Sequence, residues 1–107
     1  MREVPILSIC IPTYNRSEHL RKTLDSIIRQ KEFATKQVEI VISDNASTDN
    51  TEIVAREYCE RYSNIFYYKN EKNIIDRNLP LVISRATAIY RKLRFFVVRI
   101  STQLKRI

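Results

Sequence analysis

Asp44 and Asn45 are the residues of this chain whose types and place could most readily do chemistry. They end the run Val38–Ser43, in which Val38, Ile40, Val41 and Ile42 are apolar and Ser43 is small. They precede the helix-starting run Ser47-Thr48-Asp49-Asn50-Thr51. An apolar run stopped by turn formers and followed by a capped helix is the pattern of a strand–loop–helix unit. In α/β sheets ligands sit beyond the carboxyl ends of the strands. A carboxylate and an amide at that end are placed to accept from such a ligand and donate to it. Other chemistries find little support. Cys10 and Cys59 have no metal-ligand spacing, and His19, the one histidine, stands in a polar helical turn with no partner motif. The chain contains no glycine, where average usage of about 7% would give roughly seven or eight, so a Gly-rich phosphate cradle is excluded. Left-handed turns must then fall to Asn or Asp.

The elements that must position Asp44 follow from the periodicity. Ile6–Ile11 is nearly all apolar and reads as a buried parallel strand, ended by Pro12, which cannot donate to a ladder. Thr13-Tyr14-Asn15-Arg16 form a loop with Ser17 as N-cap, and a helix runs to about Arg29 with Leu20, Leu24, Ile27 and Ile28 on one stripe. Lys31–Gln37 is a polar connection into the strand at Val38. The second helix begins with Asp49 and Glu52 in capping-box relation, buries Val54, Ala55, Tyr58, Cys59 and Tyr62, and ends at Asn64 in place of a glycine. Ile65–Tyr68 is a third strand, Asn70–Asn78 a polar loop, and Leu79, Val82, Ile83 and Ala86 mark a third helix with Pro80 in its first turn. Phe95–Ile100 could add a fourth strand that leaves one sheet edge open.

At 107 residues the chain is one small domain. Its net charge of +7 is unevenly placed: residues 1–76 carry 11 basic and 12 acidic side chains, residues 77–107 carry 8 basic and none acidic. A basic excess points to an anionic surface as partner, and here that inference applies to the tail alone. The two cysteines are expected to be reduced and buried. No signal peptide and no apolar run of ~20 residues is visible, so a cytoplasmic chain, membrane-peripheral at most, is expected.

Three stretches carry a resemblance: Leu7–Arg16 (LSICIPTYNR), Val38–Thr51 (VEIVISDNASTDNT) and Asn73–Ala86 (NIIDRNLPLVISRA). Together they resemble the N-terminal, nucleotide-binding half of a family 2 glycosyltransferase with the GT-A fold, over about Pro5 to Thr87. The resemblance implies a partial, Rossmann-like three-layer α/β sandwich with a mostly parallel sheet of three or four strands and about three helices. It implies that Pro12, Thr13 and Tyr14, with Asn15 beside them, hold a nucleotide base, on which a tyrosine ring can stack. Asp44, with Asn45, would read the base edge, and Arg77 and Asn78 would line the diphosphate side, where Arg is a natural partner. Plainer readings stand beside these. Tyr14 could simply cover the strand end, Asp44 could be a turn former, Asp49 reads best as a helix cap, and Arg77 could be a solvated cation.

The resemblance fails near Thr87. Intact members of the family continue with Gly-Glu-Tyr and a DxD cluster that holds a divalent metal, Mg or Mn, against the donor diphosphate. Here Ala88-Ile89-Tyr90 stands in that place, and Asp25, Asp44, Asp49 and Asp76 include no D-x-D pair. The expectation is a nucleotide-diphospho-sugar-binding half over 1–87 and a divergent basic tail over 88–107, the product of a truncated gene or a shifted frame, with a small divergent family member carrying a genuine basic tail as the alternative. Such a chain, lacking catalytic residues and metal ligands, would bind no metal and transfer no sugar alone. The alternative is a non-catalytic nucleotide-binding module, or one that uses the tail against an anionic membrane surface, with no specific nucleic acid as partner.

Overall fold

A computed structural model of the chain describes Pro5 and residues 7–74, 77–85 and 95–97. Strands β1 (Leu7–Thr13), β2 (Val38–Asp44), β3 (Ile65–Lys69) and β4 (Phe95–Val97) form one sheet in the order β3-β2-β1-β4. All three pairings are parallel, with Thr13 opposite Asp44 and Asp44 opposite Lys69. Helices α1 (Ser17–Ile28), α2 (Lys31–Ala34), α3 (Thr51–Arg61) and α4 (Asn78–Arg85) connect or follow the strands. The expected α/β sandwich is therefore present, with four strands and one short helix more than the periodicity suggests.

Alternation along the strands decides which layer each helix joins. Ile9 and Ile11 of β1, Ile40 and Ile42 of β2 and Ile65 of β3 share one face, against which Leu20 and Leu24 of α1 and Val54, Ala55 and Tyr58 of α3 are buried. Ser43 lies on the opposite face, where Asn78 and Arg85 of α4 reach its hydroxyl. Helices thus cover both faces, as buried parallel strands require. Tyr58 donates its hydroxyl to Asp25 Oδ1 at 2.5 Å and ties α3 to α1.

Several local expectations are corrected. Pro12 lies inside β1, opposite Ser43. The Thr13 carbonyl accepts from Asn45 on the β2 side, so the proline nitrogen faces the β4 side, where the described ladder covers only Ser8 to Cys10. Lys31–Gln37 is not merely a polar link: α2 carries Phe33 into the core, edge-on to Tyr62 at 5.5 Å. Asn64 does not end α3 in a left-handed turn. The helix runs out into extended Tyr62, and Asn64 instead donates to the carbonyls of Phe33 (3.2 Å) and Val38 (2.8 Å). The left-handed positions among the described residues are Asn15, Lys36 and Ala46, at φ 49°, 65° and 65°. Only the first goes to a residue type that tolerates the region well. Ala46 is held there by the bonds on either side, Asn45 N–H to Thr13 O and Ser47 N–H to Asp44 Oδ1. Of the tail over 88–107, only Phe95–Val97 falls within the described residues; Ala86 and Asp76 lie outside them. No helix among the described residues is long and apolar enough to cross a membrane.

Candidate functional site

Strand order places the site. Sequence runs from β1 outward to β2 and β3 on one side, while β4 lies on the other, so direction reverses at β1. A crevice beyond the carboxyl end of such a strand is where ligands bind in open α/β sheets. Thr13 and Tyr14 stand at that end.

Tyr14 is 44% exposed. The residues on either side of it are fixed. The Thr13 carbonyl accepts from Asn45 N–H at 2.9 Å, and Asn15 N–H donates to Ser47 Oγ at 2.8 Å. The Asn15 side chain accepts from the N–H groups of Thr48 (2.7 Å) and Asp49 (3.2 Å) and donates to Thr48 Oγ1 (3.3 Å). The Thr13 hydroxyl is buried and has no hydrogen-bond partner among the described residues. Pro12 is half-buried beside it.

Asp44 lies inside the protein, 0% exposed. Its Oδ1 accepts from the Ser47 N–H (3.0 Å) and Ser47 Oγ (2.5 Å), and its Oδ2 accepts from the Tyr67 hydroxyl (2.5 Å). Burial, then this bond to a carboxylate, pushes the Tyr67 phenol far above its ordinary value, because both disfavour a phenolate. Asn45 is equally committed: its Nδ2 donates to Asn73 Oδ1, and its Oδ1 accepts from Asn70 Nδ2 and Ile74 N–H. Asn78 accepts from Ser43 Oγ and Asn70 Nδ2 and donates to the Ser43 carbonyl. These bonds join the loops after β1, β2 and β3 into one assembly at the carboxyl end of the sheet. Arg77, exposed on this assembly, has no carboxylate partner among the described residues.

Asp49 caps helices, though not as a capping box. Its Oδ1 accepts from Thr51 N–H (2.9 Å) and Oγ1 (2.5 Å) at the start of α3, while Oδ2 takes the Ser17 N–H (3.4 Å) at the start of α1. Ser17 is the first residue of α1 rather than its N-cap. Slight burial pushes the Asp49 carboxyl up, but the bonds from Thr51 and Ser17 outweigh it and hold it below the usual range. Glu52 turns away from the helix start to Arg56 and Lys69, each at 2.9 Å.

Eight residues were legible as site candidates, and the structure gathers them at one end of the sheet. It separates Tyr14 and Arg77, which face solvent, from Asp44, Asn45 and Asn78, whose polar atoms serve the protein itself. Tyr67, Ser47, Asn70, Asn73 and Arg85 belong to the same assembly and were not singled out. Parallel register, which sets Tyr67 of β3 opposite Ile42, two residues from Asp44 and on the same face, is the signal that points to Tyr67. A divalent metal has no evident ligand set here. Among the described residues no three His, Cys, Asp or Glu side chains lie together, and Asp25, Asp44 and Asp49 are each bound by protein donors. The described residues do not fit that ion.

Comparisons with known proteins agree with this architecture. The model of glycosyl transferase family 2 matches residues 8–90. The abequosyltransferase RfbV of Salmonella typhimurium is 44% identical over 87 residues, covering 79% of this chain and 26% of that protein. A validoxylamine A glucosyltransferase of Streptomyces hygroscopicus subsp. jinggangensis is 48% identical over 58 residues, 54% of this chain and 14% of its own length. Among solved structures, the mannosyltransferase PcManGT from Pyrobaculum calidifontis, in complex with GDP-Man and Mn2+, superposes with a TM-score of 0.67 at 26% identity, over 79% of this chain and 25% of that one. The chain thus spans about a quarter or less of the length of these relatives. With a family model matched across most of its residues and a mannosyltransferase structure that superposes over 79% of it, this chain belongs to glycosyl transferase family 2.

Proposed function

We propose that the carboxyl end of this sheet binds the nucleotide part of a nucleotide-diphospho-sugar donor. The observation that carries the reading is Tyr14: an exposed ring at the end of the strand where sheet order reverses, between two residues fixed by hydrogen bonds. A base stacked on such a ring gains about 1–3 kcal/mol. Pro12 and the Thr13 hydroxyl line the same strand end, and Arg77, exposed and without a carboxylate partner among the described residues, offers its guanidinium to the diphosphate. Asp44, Asn45 and Asn78 act from behind, holding the loops that present Tyr14 and Arg77, and Asn15 stands next to the ring. The structural neighbour bound to GDP-Man supports this class of ligand.

The family reaction is transfer of a sugar from such a donor to an acceptor, and polysaccharide assembly is the process we propose for the intact protein. No cluster of metal-ligating side chains stands among the described residues, and no chemical step is assigned to them. Titration calorimetry of the 107-residue chain with UDP, GDP, pyrophosphate and anionic vesicles tests the reading. Nucleotide binding that exceeds pyrophosphate binding and is lost in Tyr14→Ala supports it. Binding to vesicles and pyrophosphate alone, unchanged in Tyr14→Ala, contradicts it and favours an anionic-surface module built on the basic tail.

A further inference from the structure

The loop after β1 and the loop after β2 each contain a left-handed residue, Asn15 and Ala46, and the two loops are bonded face to face. Strain of this kind persists where the surroundings over-determine it, and it clusters at ligand clamps. Four hydrogen bonds converge on Asn15. Its N–H reaches Ser47 Oγ, which in turn donates to the buried Asp44 carboxylate, and its amide oxygen takes the N–H groups of both Thr48 and Asp49. Its Nδ2 reaches Thr48 Oγ1. Asp49 continues the chain of contacts to the first N–H groups of α1 and α3. Tyr14, by contrast, has no side-chain hydrogen bond among the described residues, so its orientation depends on its two neighbours.

We propose that Asn15 is a positioning residue for Tyr14 and not a ligand contact. Its side chain, locked onto the Thr48 and Asp49 backbone, sets the Tyr14 ring at the end of β1 before any ligand arrives. The proposal rests on the nucleotide-binding reading above. It adds that affinity depends on a clasp whose own polar groups are consumed within the protein. An ordered aromatic surface binds more tightly than a loose one because less conformational freedom is lost on association.

The test uses the full chain with 3-fluorotyrosine placed at position 14 and fluorine NMR as the readout. Asn15→Gly keeps the left-handed backbone available but removes the side-chain bonds. Asn15→Asp keeps an oxygen for the Thr48 and Asp49 N–H groups and a residue type that accepts positive φ. The expected results are one narrow fluorine resonance in the free wild type, a broadened or split one in Asn15→Gly, and recovery in Asn15→Asp. UDP or GDP affinity should fall about tenfold in Asn15→Gly and return in Asn15→Asp, as loss and restoration of preorganisation predict. A narrow, unshifted resonance with unaltered affinity in Asn15→Gly overturns the proposal, even if that variant is less stable. If the wild type binds neither nucleotide, the functional reading fails, while the fluorine line shapes still test the clasp. Hydrogen exchange of the wild-type Thr48 and Asp49 amides needs no variant. Protection supports the clasp, and free exchange at loop rates refutes it.

Discussion

Tyr67→Phe isolates one bond in the buried assembly behind the site. The phenylalanine keeps the ring, its packing against the core and its contact with the Arg56 guanidinium at 5.1 Å. Only the hydroxyl bonded to Asp44 Oδ2 at 2.5 Å is removed. Asp44 is 0% exposed, so water does not take the vacated place, and the two Ser47 donors serve the other oxygen. A hydrogen bond to a charged partner contributes about 1.5–3 kcal/mol, and orphaning a buried acceptor moves the loss toward the upper end. The folding equilibrium constant should therefore fall roughly 10- to 150-fold, a large share of the 5–15 kcal/mol typical of a domain. Urea unfolding at pH 7, followed by far-UV circular dichroism, measures this as a lower midpoint with unchanged m.

The same pair predicts an alkaline signature. Burial, then the Asp44 carboxylate, raise the folded-state phenol of Tyr67 above its ordinary value near 10. A group raised in the folded state stabilises fully below its unfolded value and loses that contribution as pH rises. The gap between wild type and Tyr67→Phe should accordingly narrow as pH climbs past about 10. A loss below about 0.5 kcal/mol at pH 7, within the range of ordinary surface substitutions, would refute the account of Asp44 as a sealed anchor.

Further outcomes follow from other buried groups. Asn64→Ala removes two bonds to the Phe33 and Val38 carbonyls and should cost about 2–3 kcal/mol, a fall in Tm of roughly 10 °C or more; an unchanged Tm would mean that α2 and β2 do not depend on it. Burial, then the charge of Glu39, push the Cys10 thiol up to about 11, so the stability linked to it is complete below 9.0 and falls as pH rises toward 11, a slope absent from Cys10→Ala. A thiol reagent at pH 8 should modify half-buried Cys59 first and Cys10 only through unfolding; equal labelling rates would contradict the buried placement.

The sheet was legible because parallel strands buried on both faces are written as continuous apolar runs, and α1 and α3 because their stripes have helical spacing. Phe33 is not legible in the sequence, because Phe33-Ala34 standing alone among Lys31, Glu32 and Lys36 has no periodicity. Asn64 reads as a substitute for glycine at the end of α3, but it is not left-handed, and its amide instead meets carbonyls across the fold that no local rule specifies. Asp44 and Asn45 lie at the carboxyl end of β2, as the apolar run followed by turn formers predicts. What sequence could not convey is that their side chains turn inward, because Tyr67 and Asn70 lie 23 and 25 positions away and meet them only through the strand register. Ala46 shows the converse: a left-handed alanine is locally unfavourable and is imposed by the bonds that Asn45 N–H and Ser47 N–H donate to Thr13 O and Asp44 Oδ1.

The most direct test of the nucleotide site is an amide NMR titration of isotope-labelled protein with UDP and GDP. Shifts confined to the loops around Thr13–Asn15, Asn45–Asp49 and Arg77, absent in Tyr14→Ala, are the predicted result. Shifts that instead gather beyond residue 88, or no shift at millimolar nucleotide (about 4 kcal/mol of binding), would contradict it.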